Sequence, residues 1–154
     1  MFLCLPNTVE AKQEEVSKTI EKTVQVNKDA KLILSNQFGK IDLINHEKDE
    51  VEVFIKITVE SGSKEKAQKR LDRIKVDINA SSSLVEVKTS IEKSNSNFNG
   101  EFSIDYTIKA PASMNIDLRN QFGDVFIGEW TGITSIDVQY GNLTVGKLNH
   151  ENNE

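Results

Sequence analysis

Two stretches decide the fold: Leu32-Ile-Leu-Ser-Asn-Gln-Phe-Gly-Lys-Ile-Asp-Leu43 and Ile116-Asp-Leu-Arg-Asn-Gln-Phe-Gly-Asp-Val-Phe-Ile127. Asn36-Gln37-Phe38-Gly39 and Asn120-Gln121-Phe122-Gly123 are identical, and apolar residues alternate on both sides of them. Alternation at period 2 reads as strand, and the polar-aromatic-glycine step as the turn between two short strands. A third copy follows as Ile136-Asp-Val-Gln-Tyr-Gly-Asn-Leu-Thr-Val145, with Gly141 18 positions after Gly123. A repeat of that length cannot bury its own apolar face and must stack on its neighbours. Stacking predicts Ile116, Leu118, Val125 and Ile127 against Ile136, Val138, Leu143 and Val145. It also puts Phe38, Phe122 and Tyr140 in one column, Gln37, Gln121 and Gln139 in another, and the glycines at corners of positive φ. The expected architecture is all-β, with antiparallel strands and one amphipathic helix leading into a short right-handed β-solenoid whose rungs cover about 32–43 and 116–148.

Gly39 and Gly123 are separated by 84 positions, far more than one repeat. Between them Val51, Val53, Ile55, Ile57 and Val59 alternate with polar residues, as do Val76/Ile78, Val85/Val87 and Phe102/Ile104/Tyr106/Ile108. Ile20, Val24 and Val26 keep one parity upstream. These read as antiparallel strands with one wet face, forming an insertion or a capping sheet. Residues 63–73 break the pattern: Ala67, Leu71 and Ile74 fall at helical spacing among lysines, with Ser63 as N-cap, which predicts a helix of about three turns. Polar stretches 79–83 and 94–100 read as turns, and Pro111 marks a change before the last third.

The resemblance of these features to a known family is specific in organisation. The repeated Asn-Gln-Phe-Gly unit, the strand 51–60 feeding the helix, Phe102-Ser-Ile-Asp-Tyr-Thr-Ile-Lys-Ala-Pro111 and Asn142-Leu-Thr-Val-Gly146 together resemble the "putative adhesin" domain of bacterial envelope proteins, over about residues 20–148. The resemblance implies an exported, largely β protein with a right-handed solenoid of repeats, and it brings no catalytic residues with it.

Composition narrows the function further. The 154 residues carry a net charge of −5, with 37% hydrophobic and 28% charged side chains, and no basic stripe. Phosphate neutralisation is therefore a poor basis for partners, which argues against nucleic acid and anionic lipid. No apolar run reaches the roughly 20 residues that cross a bilayer. Residues 1–11 read as the remnant of a signal peptide: an apolar Met1–Pro6, then Val9 and Ala11 at −3 and −1 before Lys12. That sets 12–154 as a single domain, located in the periplasm, on the outer surface or secreted. Cys4 is the lone cysteine, and the bulk of Leu3 before it argues against a lipid anchor there. The repeat pattern predicts that further rungs follow Glu154, since an open solenoid end exposes a strand edge.

The titratable residues give no catalytic pattern. His46 and His150 sit in matched Asn-His-Glu settings and read as equivalent turns rather than as a metal or catalytic pair. Asp105, Asp117, Asp124 and Asp137 lie near the repeats. Asp117 and Asp137, on adjacent rungs, could form the acid pair of a glycan-cleaving β-helix, although outward polar positions on a wet face explain them more simply. Trp130 reads as the closure of one end of a core, with sugar stacking as the alternative. Asn79-Ala-Ser and Asn142-Leu-Thr match the glycosylation pattern by its shortness alone. No catalytic, cofactor or metal residues are assigned. The favoured function is a non-enzymatic, adhesin-like binding or structural module of the cell envelope, with a surface glycan or an envelope protein as partner. An exported stress-sensing or signalling domain comes next, and a glycan-cleaving enzyme last.

Overall fold

The structure, a computed structural model, describes residues 12–95 and 100–150. Residues 1–11, read from the sequence as a signal-peptide remnant with Cys4, and most of the segment 94–100, read as a turn, lie outside the described residues. In chain order the elements are β1 (Glu14–Gln25), β2 (Lys31–Phe38), β3 (Ile41–His46), β4 (Glu50–Ser61), α1 (Lys64–Leu71), β5 (Ile74–Ala80), β6 (Leu84–Ile91), β7 (Gly100–Pro111), β8 (Asn115–Phe122), β9 (Val125–Trp130), β10 (Thr134–Tyr140) and β11 (Leu143–Leu148). They build two mixed sheets, β1-β4-β7-β3-β9-β11 and β10-β8-β2-β6-β5, neither of which closes into a barrel.

The alternating strands bury the parity that the sequence assigns. In β4, Val51, Val53, Ile55, Ile57 and Val59 are buried, while Phe54 and Lys56 face solvent. In β7, Ile104, Tyr106, Ile108 and Ala110 are buried. They meet Leu32, Leu34, Val85, Val87 and Leu118 from the other sheet in one apolar cluster. Period-2 side chains give each sheet one apolar face, and the two faces seal each other from water.

The helix is shorter than predicted, eight residues rather than three turns. Ser63 Oγ accepts the Lys66 N–H as N-cap, and the cap at Asp72 ends the helix before Ile74 enters β5. Ala67 and Leu71 are buried, and the helix packs on β1 and β4.

The intervening strands are not a purely antiparallel block. β1–β4, β4–β7 and β5–β6 pair antiparallel, as expected. On their other edges, however, β7 pairs parallel with β3 and β6 pairs parallel with β2. β6 and β7 therefore form the level next to the first copy, one strand in each sheet. The first copy is not remote from the second: β2 pairs with β8 and β3 with β9, both parallel. The third copy adds β10 on β8 and β11 on β9.

The pairing corrects one alignment. Matching Ile116-Asp-Leu to Ile136-Asp-Val puts Asp137 beside Asp117, yet Tyr140 pairs with Phe122, Ile136 with Leu118 and Asp137 with Arg119, while Asp117 faces Ser135. A shift of two residues keeps every side chain on its own face, so apolar alternation cannot distinguish the two registers. The turn can, because its glycines and aromatic rings fit at only one offset.

Candidate functional site

The repeated motif builds one edge of the molecule. Gly39 and Gly123 have φ of +119° and +131°, a region that disfavours side chains. Space forbids a side chain as well: a Cβ on Gly39 would lie 2.2 Å from Ile104 O, on Gly123 2.1 Å from Gly39 O, and on Gly141 2.0 Å from Gly123 O. Backbone hydrogen bonds run across the same gap, from Gly39 N to Phe122 O (2.9 Å) and from Gly123 N to Tyr140 O (3.0 Å).

Asparagine holds the turn from inside. Buried Asn36 donates from Nδ2 to Ile104 O at 2.8 Å, and buried Asn120 donates to Gly39 O at 2.9 Å and Gly123 O at 3.1 Å. The identical Asn-Gln-Phe-Gly signalled this, yet the asparagine's role as a tie between levels was missed. The third copy replaces it with Val138, opposite Asn120.

Outside the asparagines the rings form the expected column. Phe38 and Phe122 stack at 5.0 Å with planes 11° apart, and Phe122 and Tyr140 at 5.0 Å with planes 9° apart. The column extends further than predicted. Phe102 tilts against Phe38 at 4.9 Å, and the Arg70 guanidinium lies 4.7 Å from the Phe102 centroid. One end is thus closed by a cation on a ring face, whereas Tyr140, 66% exposed, ends the other.

A second feature is the outer face of the six-stranded sheet. Register places Glu21, Phe54, Thr107, Asp42, Phe126 and Thr144 in one row across all six strands. Phe54 (37% exposed) and Phe126 (41%) stand three strands apart, about 14 Å at the usual strand spacing. Polar groups lie between and beside them. Lys40 Nζ meets Asp42 at 2.9 Å, and that contact raises the lysine pKa, while Lys109 meets Glu52 at 3.8 Å. A depression of about 350 Å³ beside Phe54 is lined by Lys22, Thr23, Glu52 and Lys109, among others.

The predicted chemical candidates disperse. Asp117 pairs with Arg119 at 3.5 Å, and Asp105 accepts the Lys40 N–H at 3.0 Å. Asp124 Oδ1 accepts from Asn142 N at 2.8 Å and Nδ2 at 3.2 Å, so both residues brace a turn. His46 Nε2 donates to Glu50 O at 2.6 Å across the β3–β4 turn. His46 and His150 do not occupy matching positions: counted from the aligned Leu43, Ile127 and Val145, His46 stands three residues on and His150 five. Trp130 is fully buried and donates from Nε1 to Met114 O at 2.7 Å, the structural role the sequence favoured. Asn79 lies in β5. Among the described residues no group of three or more His, Cys, Asp or Glu is placed to hold a metal ion, and no helix is long and apolar enough to cross a membrane.

No family model matches the chain, and no curated protein matches it. Among solved structures it is similar to a "putative adhesin" from Bacteroides fragilis NCTC 9343, with 19% identity and a TM-score of 0.47 over 86% of this chain and 55% of that one. It is also similar to a "putative cell adhesion protein" from Clostridium sporogenes ATCC 15579, with 9% identity and a TM-score of 0.38 over 89% of this chain and 100% of that one. A "putative lipid binding protein" from Parabacteroides distasonis ATCC 8503 gives 8% identity and a TM-score of 0.32 over 82% and 51%. The chain spans about half the length of the first and third of these.

Proposed function

We propose that this chain is a non-enzymatic, exported envelope module of the adhesin-like kind, a short right-handed β-solenoid that binds an extended surface glycan on its six-stranded face. The observation behind this reading is the row from Phe54 to Phe126. Two half-exposed rings about three strand spacings apart on a flat surface suit the apolar faces of separated sugar rings. Thr107, Asp42 and the Lys109–Glu52 pair offer hydrogen bonds to the hydroxyls between them. Close-packed glycine turns keep the platform stiff, so little ordering opposes binding.

Affinity electrophoresis or a glycan array with bacterial surface polysaccharides tests it. The chain should bind at least one acidic or neutral polysaccharide, and the double variant F54T/F126T should lose at least tenfold in affinity. Threonine suits a wet strand face, so the fold should persist by circular dichroism. Absence of binding to every polysaccharide, or binding untouched in the double variant, would reject the site. Cell fractionation that leaves the protein in the cytoplasm would reject the exported role.

A further inference from the structure

We infer that the basic face of α1, with the depression beside it, is a docking surface for a linear acidic polysaccharide, one that carries a carboxylate or a phosphate on each repeat. Residues 64–75 contain six lysines and arginines against Glu65 and Asp72, a net charge of +4. The whole chain carries −5, so the other residues together carry −9. Positive charge is thus concentrated in one short internal segment. Screening at physiological salt acts over about 8 Å, so a polyanion meets attraction at α1 and repulsion over the rest of the surface.

Helical geometry gathers cations that the linear sequence scatters. Lys66, Lys69, Arg70 and Arg73 fall at i, i+3, i+4 and i+7, which sets them along one flank of α1 and the turn that follows it. The stripe runs about 10 Å at about 1.5 Å per residue. Lys69 meets Glu65 at 3.0 Å, whereas among the described residues Lys66 and Arg73 have no ion-pair partner. Arg70 is anchored over the Phe102 ring. Burial, and then the charge of Arg73, lower its pKa, which marks the two guanidiniums as close neighbours.

The other flank of α1 borders a depression of about 520 Å³ set among α1, β1, β5 and β6. Gln68 and Asp72 line it from the helix, Lys18 from β1, Lys75 and Asp77 from β5 and Ser90 from β6. Its two carboxylates are occupied locally: Asp72 Oδ1 accepts from Gln68 Nε2 at 2.9 Å, and Asp77 stands opposite Lys88 in the register. Lys18 and Lys75 are exposed, so the lining offers ammonium and hydroxyl groups to an anionic sugar.

Surface chemistry selects among anionic partners. Among the described residues, none of the exposed large hydrophobic side chains lies in β1, α1, β5 or β6. A helix that rests on a lipid surface sinks an apolar face into it, but α1 turns its apolar residues, Ala67 and Leu71, inward against β1 and β4. Protein partners are held by buried aromatic and aliphatic anchors, which this face also lacks. A hydrated, charged polysaccharide needs neither. Arginine forks and lysines match carboxylate and phosphate groups, and a depression beside them admits sugar rings. The site is separate from the row of Phe54 and Phe126 and does not rest on that reading.

The test is affinity electrophoresis of the full chain carrying F54T/F126T, which takes the sheet face out of play, through polygalacturonate, poly(ribitol phosphate) and neutral dextran. At 50 mM salt the protein should be retarded by at least one of the two acidic polymers and pass freely through dextran. With about four charges neutralised and a slope of about −0.7 per contact, as for flexible single strands, 150 mM salt should weaken binding about twentyfold. K66Q/K69Q/R73Q should lose at least tenfold while keeping its helix, since glutamine is a good helix former. K66R/K69R, which preserves the charge, should bind like the parent. K28Q/K31Q/K147Q makes the same charge change at exposed positions elsewhere and should stay within about twofold. Free passage through both acidic polymers, or an equal loss in the two glutamine variants, would overturn the inference. Tighter binding to vesicles of anionic phospholipid than to either polymer would overturn it too, and give the face to a membrane.

Discussion

Replacing Gly123 with alanine tests the way the levels are stacked. The new Cβ would sit 2.1 Å from Gly39 O, and ordinary contact begins at 3.4 Å, so the two turns must part by about 1.3 Å. Three hydrogen bonds cross that gap: Gly39 N to Phe122 O at 2.9 Å, Ile41 N to Asp124 O at 3.0 Å, and Asn120 Nδ2 to Gly39 O at 2.9 Å. An opening of this size carries them out of bonding range, at about 0.5–1.5 kcal/mol each. Holding alanine at a φ of +131° adds about 1–2 kcal/mol. Stiffening of the unfolded chain by alanine returns about 0.4–1 kcal/mol. The net loss is about 2–5 kcal/mol, a large part of the roughly 5–15 kcal/mol that holds a domain together. Urea unfolding followed through the fluorescence of the single, buried Trp130 reads it directly. With a slope of about 1–3 kcal/mol per molar, the midpoint should fall by at least about 0.7 M. Gly62→Ala is the control, since nothing lies within 4 Å of its added Cβ, and it should stay within about 0.5 kcal/mol of the parent. If G123A matched G62A, the close stacking of the turns would be wrong.

Two other outcomes follow from buried polar groups. Asn120→Leu should cost about 1–3 kcal/mol in the same urea assay, because Gly39 O and Gly123 O lose the Nδ2 donor, whereas V138N at the matching position of the last copy should be nearly neutral on its half-exposed edge. Burial raises the pKa of Tyr106, whose hydroxyl bonds Thr89 and Ser35 O. The raised native value means full stability below about pH 10, where the unfolded tyrosine ionises, and falling stability above it. Alkaline unfolding of Tyr106→Phe should lack that part of the pH slope, and an unchanged slope would show that the phenol does not titrate with unfolding.

The repeat was legible because Asn-Gln-Phe-Gly fulfils a demand of the backbone as well as of the core. Glycine fits where φ is positive and a carbonyl lies near, and the aromatic covers the turn, so both recur even where flanking residues change. The alternation in 51–60 and 102–108 likewise gave the correct buried parity. The same alternation concealed register, since a two-residue slip leaves Asp137 outward either way, and it suggested an acid pair that Arg119 prevents. The membership of 84–111 in the stack was not legible. The sequence between β6 and β7 lacks the Asn-Gln-Phe-Gly motif, and its neighbour β2 lies about 50 residues earlier, a separation to which no local pattern is sensitive. The row from Phe54 to Phe126 was hidden for the same reason: the two rings share a surface only after four strands, β4, β7, β3 and β9, come together.

The place of the first copy in space has a consequence for how the chain reaches its native state. β2–β3 precedes β6–β7 and β8–β9 in sequence but sits between them in the sheets. Both sides of this central layer are therefore supplied by segments that emerge later, the second of them 84 residues afterwards. At ribosomal speeds of about 5–20 residues per second the layer waits roughly 4–17 s before both neighbours are made. Such distant pairings make for slow folding, and a chain slow to close is one that a translocation channel or a holding chaperone can still keep extended.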